Sequence, residues 1–290
     1  MLFWVCVNVL SFGQTTGFAE KIDSLIAAKT DKPFNGIVLI AQNGQTKYLK
    51  IHGLADINAK TSLKRDSPFV IGSISKQITA VLVLRELDKG HLALHIPIRQ
   101  YLPELTQPWA DTVTIHQLLT HTHGITELDK SLAFTPGTQY AYSQLGYELL
   151  GKIAEKTSGK SFAALSEELF EQCDMKNTFH PDSRKNRPLP KGYSAQPDGS
   201  LTFEKNSLEN YVAAGSFVST ADDLVRWNQL LYNGKLLKPA TYQQMITKQK
   251  NLVRQHPLFG KTEYGYGITV SGEGKSVQLG QTGYAPGFVS

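Results

Sequence analysis

One short motif stands out for its chemistry. Ser73-Ile74-Ser75-Lys76 is the sole Ser-x-x-Lys of the chain. It follows the apolar run 68–72 and opens a stretch in which Ile78, Val81, Leu82 and Leu87 recur at helical spacing, with Gly90 where a C-cap belongs. Residues three apart share a helix face, so Lys76 Nζ is within reach of Ser73 Oγ. A serine hydroxyl needs such a neighbour, because it is a poor nucleophile until a base takes its proton. Partial burial lowers a lysine pKa and suits it to that task. The helix N-terminus adds N–H groups and positive potential where an oxyanion would form. The same four residues also read more plainly, as the first turn of an ordinary helix with an exposed lysine.

The elements around the motif follow from pattern. Gly36–Ala41 and Gln45–Ile51 flank Asn43-Gly44, which predicts an antiparallel hairpin. Helices are expected over Ile115–Leu119, Tyr147–Thr157 and Phe162–Phe170, and Thr220 should cap a helix that buries Leu224, Trp227, Leu230 and Leu231. Residues 182–199 read as an exposed loop. Strand pattern returns over Tyr264–Val270, Ser276–Leu279 and Gly287–Ser290, with a turn at 271–274. Sheet at both ends with helices between predicts an α+β fold: an antiparallel sheet flanked by helices, with an inserted all-helical subdomain. The boundaries expected are a helical subdomain over about 77–180 and a sheet subdomain from about 20–76 and 181–290.

Three further segments stand in order around the motif: Thr114-Ile115-His116-Gln117-Leu118-Leu119-Thr120-His121-Thr122; Pro136-Gly137-Thr138 leading to Tyr142-Ser143-Gln144; and Ala213-Ala214-Gly215-Ser216 followed by Ser219-Thr220-Ala221-Asp222-Asp223-Leu224. From about Asn35 onward this wording resembles the class C β-lactamase-like serine hydrolases, a group of penicillin-binding proteins, β-lactamases and related esterases. The resemblance implies a β-lactamase/transpeptidase-like fold. It also implies that Ser73 is acylated, that Lys76 is its partner, and that Tyr142 moves the proton between serine and leaving group. Gln281-Thr282-Gly283 falls where the family has Lys-Thr-Gly or His-x-Gly on a strand beside the site, and the N–H groups of Ser73 and Tyr284 would form the oxyanion hole.

The sequence departs from that pattern in three places. Gln144 stands for the usual Asn, the same amide on a longer arm. Gln281 replaces a cation or histidine, and losing a charged hydrogen bond to a substrate carboxylate costs about 1.5 to 3 kcal/mol. That substitution argues for an esterase-like or peptide-directed enzyme over an efficient β-lactamase. The family pattern continues with further strands and a closing helix, whereas this sequence ends at Ser290 and reads as shortened there.

Two functions remain open on these residues. One is an active serine hydrolase on esters, amides or cell-wall peptides; the other is a catalytically weakened module that binds penicillins or peptidoglycan fragments. Neither reading requires a cofactor. The partners expected are small-molecule or peptide substrates, without nucleic acid: the net charge is +5 and the pI about 9.0, but no basic stripe interleaves with aromatics. His121 and His123 invite a zinc reading, yet no third ligand lies at a familiar spacing. Gly274-Lys275-Ser276 has Thr269 where a P-loop needs its first glycine, and no Gly-x-Ser-x-Gly occurs. The apolar run 2–12, followed by small and polar residues up to Ala19, is too short to span a bilayer and reads as a signal segment of an exported, periplasmic or secreted protein, or else as a buried helix. With Cys6 inside that run, Cys173 would remain alone after cleavage, as a core residue.

Overall fold

A computed structural model of the 290-residue chain describes residues 16–30, 33–184, 188–205, 208–249, 253–256, 260–272 and 277–290. The apolar run 2–12 with Cys6, and Gly274-Lys275-Ser276, lie outside the described residues.

The chain opens with helix α1 (Thr16–Ala27) and the hairpin β1 (Gly36–Gln42) and β2 (Gln45–His52). Asn43 and Gly44 both take positive φ, 49° and 79°, as a two-residue turn matched to strand twist requires. Two short strands follow, β3 (Leu54–Asp56) and β4 (Thr61–Ser62), paired with each other, and then β5 (Phe69–Val70). The helical middle is α2 (Ser75–Lys89), α3 (Ile115–Leu119), α4 (Gln144–Ser158) and α5 (Phe162–Gln172). Beyond it come β6 (Tyr193–Ala195), β7 (Leu201–Phe203), β8 (Val218–Ser219), α6 (Ala221–Tyr232) and α7 (Pro239–Ile246). The chain ends in β9 (Val253–His256), β10 (Gly260–Tyr264), β11 (Thr269–Ser271), β12 (Gln278–Gly280), β13 (Tyr284–Ala285) and β14 (Phe288–Val289). Among the described residues every strand pairing is antiparallel, and the largest sheet has the order β12-β11-β10-β9. The fold is α+β, as its pattern of elements predicted.

The local signals explain most element ends. Thr114 and Gln117 form a reciprocal capping box on α3, Ser143 caps α4, Ser161 caps α5 and Thr220 caps α6. Gly90, at φ 80°, ends α2. Trp227 and Leu231 are fully buried, as their spacing predicted, while Leu224 and Leu230 pack at the edge of the core.

Three readings need correction. The run 264–270 is two strands, not one: the chain reverses at 265–268, where Gly265 N donates to Ile268 O at 2.8 Å. Gly267 takes φ 69° there, and a side chain on it would collide with Lys76 O at 2.6 Å, so the turn is pressed onto α2. The stretch 182–199 contains β6, which pairs with β7. Lys76 is not an exposed first-turn lysine. It is 0% exposed, because α2 is surrounded by other elements. Even its polar residues are enclosed: Thr79 Oγ1 donates to Ala213 O at 2.6 Å, and Ser75 Oγ accepts from Phe217 N at 3.2 Å. Helix α7 and the hairpin of β9 and β10 are additions with no strong periodic signal.

Candidate active site

The site is assembled around the first turn of α2. A 3₁₀ turn over Gly72–Ile74 precedes the helix. Gly72 takes φ 52°, and a Cβ there would stand 2.5 Å from Tyr284 N, so only glycine lets β13 approach so closely. Strand pairing aims that N–H. Gly283 and Ser290 exchange both backbone hydrogen bonds, at 2.6 and 2.9 Å, and in an antiparallel ladder the next pair, Tyr284 with Val289, is then non-bonded. Tyr284 N–H therefore points away from β14, towards Gly72 and Ser73. Ser73 contributes its own N–H from the first turn, where helix N–H groups lack intrahelical partners.

Lys76 Nζ lies 3.3 Å from Ser73 Oγ and 2.7 Å from Ala214 O, and it also donates to Gln144 Oε1. Ala214 belongs to a π-helical turn over Val212–Ser216, entered through Tyr211 at φ 55°; π turns are frequent at functional sites. Desolvation pushes the Lys76 pKa well below the ordinary lysine value; Glu148 opposes that shift and Arg254 adds to it. Burial also raises Glu148 above the usual carboxylate range, although its Oε1 accepts from Ala214 N at 3.1 Å.

Tyr142 precedes the α4 cap and is 37% exposed. Burial of its hydroxyl end raises its pKa, and the neighbouring Ser73 hydroxyl works in the opposite direction. The Lys76 ammonium nitrogen sits 4.6 Å from the Tyr142 ring centre. Beneath it, the buried His121 packs against the Tyr142 ring at 4.4 Å and accepts from Ser143 N at 3.2 Å. Burial drives its pKa well down, and His121 and His123 belong to no group of three or more metal-binding side chains among the described residues.

The structure therefore brings together Ser73, Lys76, Tyr142, Gln144 and the backbone of Tyr284. The triplet Gln281-Thr282-Gly283 also lies here, though as the link between β12 and β13 rather than within a strand. Gln281 is held by protein groups: its Oε1 accepts from Arg254 at 3.1 Å and Thr269 at 3.3 Å, and its Nε2 donates to Tyr264 at 3.0 Å. Thr282 Oγ1 is 2.8 Å from His256 Nε2. Gln281 is neutral, as the sequence reading had it, and the cation beside it is Arg254. Its guanidinium stacks 4.9 Å from the Tyr142 ring centre. Sequence reading missed Arg254, Glu148 and Ala214. Ala214 lies in the Ala213-Ala214-Gly215-Ser216 segment and Glu148 follows Gly146-Tyr147, but the sequence assigned neither a role, and each acts through a contact distant in sequence.

Comparison with known proteins bears on the family and the fold. The profile of the family described as Beta-lactamase matches residues 22–290. Esterase EstB of Burkholderia gladioli is 30% identical over 193 residues, which is 53% of this chain and 49% of the esterase. Teichoic acid D-alanine hydrolase of Staphylococcus aureus is 25% identical, covering 86% of this chain and 65% of the hydrolase. The chain thus spans about half to two thirds of these relatives' lengths. A penicillin-binding protein from Bacillus halodurans superimposes with a TM-score of 0.74 at 22% identity, over 88% of this chain and 86% of that one; that likeness concerns the fold.

Proposed function

Since the chain belongs to the β-lactamase family, we propose that it is a serine acyl-hydrolase acting through an acyl-Ser73 intermediate on ester or amide substrates. The observation that carries this reading is the hydrogen-bond arithmetic at Lys76. A neutral amine has two N–H donors and one lone pair. Gln144 Oε1 and Ala214 O can only accept, so they occupy both donors. The lone pair is left for the third neighbour, the Ser73 hydroxyl at 3.3 Å. Burial pushes the Lys76 pKa well below the ordinary lysine value, which favours that neutral form.

In this mechanism Ser73 Oγ attacks the substrate carbonyl while its proton passes to Lys76 Nζ. The oxyanion is received by the N–H groups of Ser73 and Tyr284. The tetrahedral adduct collapses, breaking the bond to the alcohol or amine, which leaves with a proton relayed from Lys76 through the Tyr142 hydroxyl. Tyr142, with its pKa raised, serves as a neutral relay rather than as the base. Water then attacks acyl-Ser73 by the same steps in reverse. The relatives named esterase and D-alanine hydrolase support a hydrolase reading. The proposed substrates are small or peptide-derived, cell-wall fragments included, and Arg254 receives an anionic group on them. Export is part of the reading and rests on the apolar run 2–12. Among the described residues no helix is long and apolar enough to cross a membrane.

One observation favours a second reading, the catalytically weakened binding module. The amides of Gln144 and Gln281 are both taken up by protein groups. A fluorophosphonate probe separates the two, because it asks only whether a serine is activated. Intact mass should show one adduct on the wild type and none on Ser73→Ala. A folded wild type that stays unlabelled moves the assignment to the binding module.

A further inference from the structure

His121 and His123 have no task in the acyl-transfer mechanism, and among the described residues they belong to no metal-binding group of three. Both are enclosed, at 0% and 1% exposure. Both meet one stretch of chain, residues 141–146, which brings Tyr142 and Gln144 to Lys76.

His121 holds that stretch at three points. Its carbonyl oxygen accepts from Ala141 N at 2.9 Å, and its Nδ1 accepts from Ser143 N at 3.2 Å. Between these anchors the Tyr142 ring packs on the imidazole, with ring centres 4.4 Å apart. Tyr142 is thus tied to His121 through both chain neighbours and touches it with its own side chain. Tyr142 itself lies in neither helix nor strand, so its place depends on such contacts. Tyr140, Tyr147 and Tyr264 also pack round the imidazole, at centre distances of 5.7, 5.0 and 5.1 Å. The Tyr147 hydroxyl donates to Leu119 O at 2.9 Å and that of Tyr264 accepts from Gln281 Nε2 at 3.0 Å, which fixes the cage in turn.

The conformation and protonation of His121 suit this hold. It takes φ 59°, a left-handed state that histidine and asparagine adopt more readily than bulky residues, and so presents both its carbonyl and its ring nitrogen to residues 141–143. The Ser143 N–H is a donor, so Nδ1 must keep its lone pair and the neutral ring carries its proton on Nε2. Burial favours that neutral ring. His123 supports the far end of the stretch: its Nδ1 accepts from Ile125 N at 2.9 Å, and its Nε2 would stand 2.5 Å from a Cβ on Gly146. Gly146 N in turn donates to Ser143 Oγ at 3.1 Å.

We propose that His121 is a positioning residue for Tyr142: through the hydrogen bond from Ser143 N to its Nδ1, it keeps the Tyr142 hydroxyl beside Ser73 and Lys76 for proton delivery to the leaving group. This role rests on the acyl-transfer reading, in which Tyr142 serves the departing alcohol or amine.

The test compares the ethyl and p-nitrophenyl esters of one acyl group. Ethoxide must be protonated as it leaves and nitrophenolate need not be, so the first depends on Tyr142 far more than the second. His121→Phe keeps a ring against the tyrosines and removes the acceptor. It should lower kcat/KM on the ethyl ester by about 10², the cost of a misplacement of about 1 Å, and on the p-nitrophenyl ester far less. Tyr142→Phe should fall on the ethyl ester at least as far, and adding His121→Phe to it should cost nothing further there. His121→Asn offers Oδ1 in place of Nδ1 and tolerates the left-handed backbone; it should recover most of the ethyl-ester activity. Equal losses on both esters, a further loss in the double variant, or an Asn variant as slow as the Phe variant overturns the role of His121. Fluorophosphonate labelling of Ser73, in which fluoride leaves unprotonated, should persist in both His121 variants. A wild type that stays unlabelled overturns the acyl-transfer reading, and this role with it.

Discussion

The Arg254 guanidinium donates to Gln281 Oε1 at 3.1 Å while lying over the Tyr142 ring. A cation from β9 thus stands beside the triplet in which the family usually carries one, and a neutral amide orients it. On the proposed function it is this guanidinium, and not the neutral amide, that receives a substrate carboxylate.

Arg254→Gln should therefore lower kcat/KM for a carboxylate-bearing ester by about one to two decades, the value of a charged hydrogen bond. A neutral ester of the same leaving group should change much less. Gln281→Met, which removes one tether of the guanidinium and leaves its bond to Thr269, should act in the same direction with smaller effect. Parallel kinetics on the two esters check this, and equal losses on both would remove the electrostatic role.

The pH dependence of Ser73 acylation should report Lys76. With Lys76 as the base, acylation is lost as pH falls through its folded pKa, which lies well below the ordinary lysine value. Glu148 holds that pKa up and Arg254 holds it down. Glu148→Gln should then shift the ascending limb of the profile to lower pH, and Arg254→Gln should shift it to higher pH. Opposite displacements cannot come from a common loss of packing. Stopped-time labelling across pH measures both.

Gly72→Ala should separate the oxyanion cradle from the rest of the site. The added methyl meets Tyr284 N at 2.5 Å, and the residue's φ of 52° is strained for alanine. Pushing β13 away from Ser73 should slow acylation by roughly 10² to 10³, as removal of an oxyanion donor does. Tyr284 lies in a hairpin at the rim, so the core should survive. Labelling rate together with near-ultraviolet circular dichroism makes the distinction.

His123 supplies a stability prediction. It is 1% exposed, and burial lowers its pKa from the ordinary 6.5 to about 4. Above pH 6.5 both folded and unfolded chains hold it neutral, so it contributes no pH dependence. As pH falls towards 4 the unfolded chain takes a proton that the fold refuses, and stability declines by on the order of 3 kcal/mol. His123→Asn keeps an acceptor for Ile125 N, which the imidazole Nδ1 now serves at 2.9 Å. Urea unfolding at several pH values should show the wild type losing stability faster than the variant between pH 6.5 and 4.

What the sequence determined by itself was chiefly local. The Asn43-Gly44 hairpin, the Thr220 cap, and the serine and lysine three residues apart depend on neighbours along the chain, whose geometry backbone sterics and helical periodicity already set. The order of the spaced motifs was enough to point to the family. Tertiary structure alone decided the electrical state of the site. Lys76 is neutral-prone because the Ser75–Leu84 part of α2 is buried all round and Gly267 presses a turn onto it. The cation beside Gln281 comes from Arg254, 27 residues earlier. Desolvation and charge proximity are properties of three-dimensional approach, and no residue spacing encodes them.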